Sequence, residues 1–332
     1  MKKVIRIIDG EGGRATSRLI KELFLKRLSN PLLKPLNDSA VAELTSSRIA
    51  FTTDAFVVDP LEFPGGDIGK LSVCGTVNDL AAAGAKPVLL SAAFILEEGL
   101  ELERLERFVE SMAETAGEAN SIIACGDTKV VPHGKGDGVY ITTTGVGVLP
   151  GGDIPEPKRI ATGDAIVISG PIAQHAAAII AIRENLRADP PIASDCAPLS
   201  NMVLDAMAVS EIHAMRDPTR GGLGGVLIEL ARQSGKRFVI RESEIPINEA
   251  VENICELYGY DPLFMACEGR MVFILPETEV DSLLVSLRKY PYGKGANRIA
   301  TVEEGSEIII ETKSGGVRRL VPPEGAPLPR IC

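Results

Sequence analysis

Residues 51–99 read FTTDAFVVDPLEFPGGDIGKLSVCGTVNDLAAAGAKPVLLSAAFILEEG. RIAFTTDAFVV (48–58) is rich in β-branched and aromatic residues and predicts a strand that runs into the Gly-rich loop PGGDIG. A helix is expected from about Ile68 to Ala83, closed by Gly84 as its C-terminal cap and by Pro87 just beyond. VLLSAAFIL (88–96) is an apolar run of strand length. Strand, glycine loop, helix and strand in succession predict an α/β (α+β) fold.

Working outward, residues 1–40 form a preamble. It holds a short strand, the GEGG turn and a helix over Thr16–Leu28, with Leu19, Ile20, Leu23 and Phe24 at helical spacing. Downstream, Leu102, Leu105, Val109, Met112 and Ala116 share one face of a helix over 101–119, and SIIACGDTKVV and GVYITTTGVGV read as strands. In GGDIPEPKRIATG (151–163) Gly and Pro cluster and periodicity stops, which marks a boundary. A second α/β unit follows. AIVISG is its first strand, helices are expected near 175–185, 199–208, 221–234 and 279–289, and strands near 238–241, 271–275, 299–302 and 308–311. The expected organisation is a preamble (1–40), a first domain (41–150), a second domain (151–312) and a flexible tail (313–332).

A chain of 332 residues exceeds what one core usually holds, which agrees with two domains. A net charge of -10, with no basic stripe, argues against nucleic acid. The N-terminal apolar run is broken by Arg6, too short for a signal segment, and no stretch of about 18 apolar residues offers a membrane span. Six cysteines without CxxC spacing make a disulfide framework or zinc site improbable and fit a reduced cytoplasmic compartment.

The first half repeatedly sets an acid beside glycines or at a strand end: Asp38, Asp54, Asp67, Asp79 and Asp127. Each alone reads as a turn or cap residue. Together they supply hard oxygen ligands suited to Mg²⁺. Lys129 follows Asp127 by two residues and shares its face if the segment is extended. Gly65, Gly66 and Gly69 permit close approach of backbone to a ligand. No Walker motif is present, so composition only suggests nucleotide binding. In RDPTRGG (216–222), Asp217, Thr219 and Arg220 precede a helix, which is an anion site or simple capping. Glu268 in MACEGR is a catalytic carboxylate or a solvated strand start. His133, His175 and His213 are too dispersed to suggest a metal site.

The 51–99 segment, GDTKVV, RDPTRGGL and the terminal PRIC together resemble the HypE family of hydrogenase-maturation carbamoyl dehydratases, in the right order over essentially the whole chain. The resemblance implies a two-domain fold shared with aminoimidazole ribonucleotide synthetase. Its N-terminal domains pair across a homodimer into a β-barrel, with ATP in the adjoining cleft. It further implies that Cys332 receives a carbamoyl group from the carbamoyltransferase HypF. ATP-dependent dehydration then yields a thiocyanate, whose cyano group passes to iron on a HypC–HypD scaffold and becomes the cyanide ligand of a [NiFe]-hydrogenase. On this reading Asp38, Asp54, Asp79 and Asp127 hold Mg²⁺ and ATP, with Gly66, Asp67, Gly126, Thr128, Asp217 and Arg220 also at the nucleotide. Lys129 and Glu268 neighbour the carbamoyl group, and Glu268 removes an N–H proton. Four positions depart from the family pattern: Asp9 in DGEGG, Cys267 before Glu268, AQHA for the GDHG element, and Ala300 after Ile299.

A rival within the superfamily, selenophosphate synthesis, needs a cysteine or selenocysteine in the N-terminal Gly-rich loop, whereas the first cysteine here is Cys74. A second rival is a non-enzymatic carrier that delivers a group from Cys332. In VPPEGAPLPRIC four prolines stiffen the arm, and Leu328 and Ile331 offer apolar anchors. An unmodified arm carries thiolate and carboxylate close together. It is therefore expected to avoid a cleft lined with Asp79, Asp127 and phosphates, and to insert once carbamoylation neutralises the sulfur.

Overall fold

The computed structural model describes residues 4–10, 13–36, 40, 42–187, 191–322 and 330–332. Asp38 and Leu328 lie outside them.

The first sheet contains β1 (Ile49–Phe56), β4 (Lys86–Glu97), β5 (Ile122–Val131) and β6 (Val139–Val148) in the order β1-β6-β4-β5, and a two-residue ladder joins β2 (Glu62–Phe63) to β3 (Gly66–Asp67). Only β4 and β5 run parallel, joined through a helical crossover. The helices α1 (Gly13–Leu19) and α2 (Leu25–Leu28) flank a π-helical stretch, Ile20–Phe24, so the expected N-terminal helix starts earlier and is interrupted. α3 (Ile68–Ala82) and α4 (Leu102–Glu118) cover one face of the sheet.

α3 shows no amphipathic stripe, because it is buried on nearly every side: Ile68, Leu71, Val73, Cys74, Val77 and Leu80 are all inaccessible. α4 is one-sided and buries Leu105, Phe108, Val109 and Met112. The two cross at Gly69, where a Cβ would stand 1.9 Å from the carbonyl oxygen of Phe108. Asp67 caps α3, accepting from Lys70 N at 2.9 Å and Ser111 Oγ at 2.5 Å.

The second sheet has seven strands: β7 (Asp164–Ile168), β8 (Ala214–Arg216), β9 (Arg237–Arg241), β10 (Val272–Pro276), β11 (Asn297–Glu303), β12 (Ile308–Glu311) and β13 (Val317–Arg319), ordered β13-β12-β9-β11-β7-β10-β8. Its helices are α5 (Gln174–Arg183), α6 (Ser200–Val209), α7 (Gly222–Ser234), α8 (Glu249–Tyr258) and α9 (Val280–Leu287). Alternation along the central strands explains the layers. Ala165, Val167, Phe273 and Leu275 join α6 and α9 in one cluster, while Ile166, Ile168, Val272 and Ile274 join α5 and α7 in the other.

In this second unit β8, β13 and α8 were not anticipated, although Val251, Ile254 and Cys255 give α8 a legible helical spacing; in the first, nor was the β2–β3 ladder. β13 also alters the expected tail. Val317–Arg319 pairs with β12, so the stretch from 313 begins as a hairpin. No helix among the described residues is long and apolar enough to cross a membrane.

Candidate active site

Glu268 sits in the loop that leads into β10, and its position is fixed through the main chain. A Cβ on Gly269 would stand 1.7 Å from Asp195 O, so only glycine lets the 195–197 segment lie against this loop. Asn78 of α3 spans both pieces: its Nδ2 donates to Ala197 O at 3.0 Å and to Glu268 O at 3.3 Å, and its Oδ1 accepts from Leu199 N at 2.8 Å. Asp195 accepts from Glu268 N at 3.3 Å and pairs with Arg270 at 3.5 Å in the interior.

Glu268 is 2% exposed, and its Oε1 has no hydrogen-bond partner among the described residues. A solvated strand start is therefore excluded. Burial pushes this carboxyl well above its ordinary range, and the neighbouring Cys196, Asp217, Asp195 and Asp54 push it further. Cys267, the neighbour that departs from the family pattern, is inaccessible and accepts from Ala173 N through its sulfur at 3.1 Å.

The last three residues are docked against this site. Val57 N donates to Cys332 O at 3.2 Å, Asp59 N to Arg330 O at 3.3 Å, and Arg183 Nη2 to Arg330 O at 2.6 Å. His175 Nε2 donates to Ile331 O at 2.8 Å, while its Nδ1 accepts from Ser194 Oγ at 2.8 Å, an assignment that follows because a carbonyl can only accept. Complete burial lowers the His175 pKa and keeps the ring neutral. The Ile331 side chain is 7% exposed. Arg330 reaches back to Val57 O at 3.0 Å and to Asp137 at 2.9 Å.

The docked sulfur corrects the expectation that an unmodified arm avoids the cleft. Burial, and then the charge of Glu268, push the Cys332 thiol up to about 12, with Arg220 opposing and Asp54 adding. The group that inserts is therefore a neutral thiol, and the predicted thiolate repulsion does not arise.

Arg220 and Asp54 lie near the sulfur, and Asp79 and Asp217 lie in turn near Asp54. Asp54 accepts from Thr76 Oγ1 at 2.9 Å, and Asp79 from Thr52 Oγ1 at 2.8 Å. Burial and then the Asp79 charge raise Asp54; Thr76 and Arg220 oppose this. Asp217 is pushed to about 7 by burial first and then by Asp79. It is not the cap of α7, since that position is Gly221, so the capping reading falls away. The three carboxylates feel one another's charge, yet among the described residues no three His, Cys, Asp or Glu side chains converge as a metal-holding group.

The remaining sequence candidates stand elsewhere. Asp54, Thr143, Ala92 and Gly126 form one row across the sheet, and Ala93 pairs with Asp127 in the next. Asp127 and Lys129 consequently point away from Asp54, on the opposite face of the sheet. They are 65% and 67% exposed and lie 3.5 Å apart. Gly126, Asp127, Thr128 and Lys129 line a cavity of about 440 Å³ beneath the N-terminal helices, with Gly10 and Phe24 on its far side. Gly66 and Asp67 lie at the opposite end of α3 from Asp79.

Residues 36–149 match the family profile "AIR synthase related protein, N-terminal domain", and 161–313 the corresponding C-terminal domain. The carbamoyl dehydratase HypE of Azotobacter vinelandii is 48% identical, covering 99% of this chain and 97% of its own. The chain belongs to the HypE family of carbamoyl dehydratases. A crystal structure of the hydrogenase maturation protein HypE in complex with ATP is 44% identical, with a TM-score of 0.95, over 98% of this chain and 99% of that one. A HypE–HypF complex matches at 43% identity and a TM-score of 0.81, over 92% and 99%. Within this HypE-type site, sequence reasoning missed Asn78, His175, Arg183 and Asp195. Each bonds to main-chain atoms, with Asp195 also pairing with Arg270 and His175 with Ser194, and the one signal was His175 standing in AQHA at the start of α5.

Proposed function

We propose that this chain dehydrates an S-carbamoyl group on its own Cys332 to a thiocyanate, using ATP, and so supplies the cyanide ligand of a [NiFe]-hydrogenase iron. The observation that carries this reading is a docked Cys332 end whose thiol feels the charge of Glu268, a buried carboxyl whose Oε1 has no partner among the described residues. ATP supplies a phosphoryl group, which turns the amide oxygen into a leaving group. The overall change is R–S–C(=O)NH₂ + ATP → R–S–C≡N + ADP + phosphate.

Two N–H protons must leave the carbamoyl nitrogen, so a base has to stand beside the sulfur. Glu268 meets that need: its raised pKa makes its carboxylate form a strong base, and its environment excludes water. His175 and Arg183 hold the tail main chain, which orients the sulfur without touching it. Asp54, Asp79 and Asp217 offer one or two carboxylates at a time, which suits Mg²⁺ arriving with nucleotide phosphates better than a resident all-protein ion.

The outward face of the first sheet, with Ile49, Phe51 and Ile95 exposed, supports a homodimer paired through that face. Asp127 and Lys129 lie on the same face, so pairing would enclose them. Asp38, Gly66, Asp67, Gly126 and Thr128 remain at the nucleotide in this reading. HypF is the proposed carbamoyl donor, HypC–HypD the acceptor and the cytoplasm the compartment. The boundaries near 41, 151 and 313 are proposed likewise. The test is to supply carbamoylated protein with ATP and follow thiocyanate at Cys332; an unmodified Cys332→Ser control should form none.

A further inference from the structure

The docked end is held in a way that does not depend on its being tethered. Of the last three residues, each carbonyl accepts from a fixed scaffold donor: Arg330 O from Asp59 N and Arg183, Ile331 O from His175, and Cys332 O from Val57 N. The side chains add two further readings, since Ile331 is buried and Arg330 pairs with Asp137, which is itself held by Tyr140 OH at 2.8 Å. None of these contacts comes from residues 313–322. Main-chain pairing with pockets for chosen side chains is how extended peptides are recognised in general.

We propose that the cleft is a recognition site for a C-terminal Arg-Ile-Cys peptide as such, and that it accepts such a peptide in trans as a substrate. The binding half stands on the contacts alone. The catalytic half rests on the dehydratase reading above. The substrate class is a short peptide ending in S-carbamoylcysteine, and the change is that given above for Cys332: the oxygen leaves as phosphate and two N–H protons are lost.

The chain's own tail is the competitor. A short tether gives it an effective concentration in the mM range, so a free peptide must reach about that level to displace it. Ile331→Asp in the full-length protein removes the apolar anchor and should free the site. Its Cys332 should then alkylate at the rate of an unstructured thiol, which verifies release.

The experiment adds N-terminally labelled Leu-Pro-Arg-Ile-Cys to the Ile331→Asp protein and follows fluorescence anisotropy. Saturable binding is expected, with at least tenfold weaker binding of the peptide carrying Asp for Ile. The unlabelled peptide at mM concentration should also accelerate Cys332 alkylation in the wild-type chain. Peptide S-carbamoylated with cyanate should lose one water when ATP is added. No binding to the released-tail variant, together with no effect on wild-type alkylation, overturns the inference. If wild-type protein dehydrates its own carbamoylated Cys332 while bound peptide stays intact, catalysis in trans is wrong and the dehydratase reading survives. If neither is dehydrated, the dehydratase reading itself fails, whatever the peptide binds.

Discussion

Asn78 Nδ2 lies 3.3 Å from Glu268 O, so a side chain on a helix of the first domain fixes the main chain of the candidate base in the second. The same amide satisfies Ala197 O and Leu199 N. Asn78→Ala leaves Ala197 O and Leu199 N without their partner and Glu268 O with only a long bond from Ala197 N, and each buried group left unpaired costs about 1–3 kcal/mol. The expected result is a loss of at least about 2 kcal/mol in urea unfolding, with turnover falling more steeply than ATP affinity. Unchanged stability would show that water replaces the amide.

Glu268→Gln should separate chemistry from stability. Because burial raises the folded pKa above that of an unfolded glutamate, the ionised unfolded state is favoured as pH rises from about 4.5. The stability contribution of Glu268 is full below that pH and declines above it. Glu268→Gln should therefore match wild type near pH 4 and exceed it at pH 7.5, as read by urea midpoints. Carbamoylation of Cys332 should persist while dehydration slows by about 10²–10⁴-fold. Dehydration at the wild-type rate removes Glu268 from the chemistry.

Docking of the tail should weaken in alkali. The docked thiol is pushed up to about 12 from an ordinary 9.0 by burial and Glu268, with Asp54 adding and Arg220 opposing. The docked state therefore keeps a proton that the released state gives up. Docking is full below about pH 9 and is lost as pH rises toward 12. Alkylation of Cys332 in wild type should climb with pH more steeply than in Ile331→Asp. Parallel profiles would mean the sulfur is not buried in solution.

Much of this was legible in the sequence. The α3 segment, the alternating strands and the apolar face of α4 follow from local pattern, and the terminal PRIC pointed to Cys332. The strand order did not follow, because it is set by non-local pairing. Nor did the docking donors, since Asn78, His175 and Arg183 work on carbonyl oxygens, which leave no trace in residue type. The separation of Asp127 from Asp54 came from sheet register alone: one row of displacement turns a side chain to the other face.

Phe51→Glu puts a charge on the outward sheet face where Phe51 is 69% exposed. If that face pairs two copies, sedimentation should show monomers for the variant and dimers for wild type. Monomeric wild-type protein, or a variant that stays dimeric, places the interface elsewhere.

Asp79→Asn and Asp127→Asn should each weaken Mg–ATP binding in calorimetry by tenfold or more while the thermal transition is retained. Asp79 lies close enough to Asp54 and Asp217 to raise them, and Asp127 lines the cavity beneath the N-terminal helices. Unchanged affinity in both variants removes them from the nucleotide site.

The most direct test of the account is intact mass spectrometry of the wild-type chain after incubation with the carbamoyltransferase, carbamoyl phosphate and ATP. The predicted result is gain of one carbamoyl group followed by loss of one water, both mapped to Cys332 and both absent in Cys332→Ser. A carbamoyl group that never loses water in the presence of ATP, or one carried by any residue other than Cys332, contradicts it.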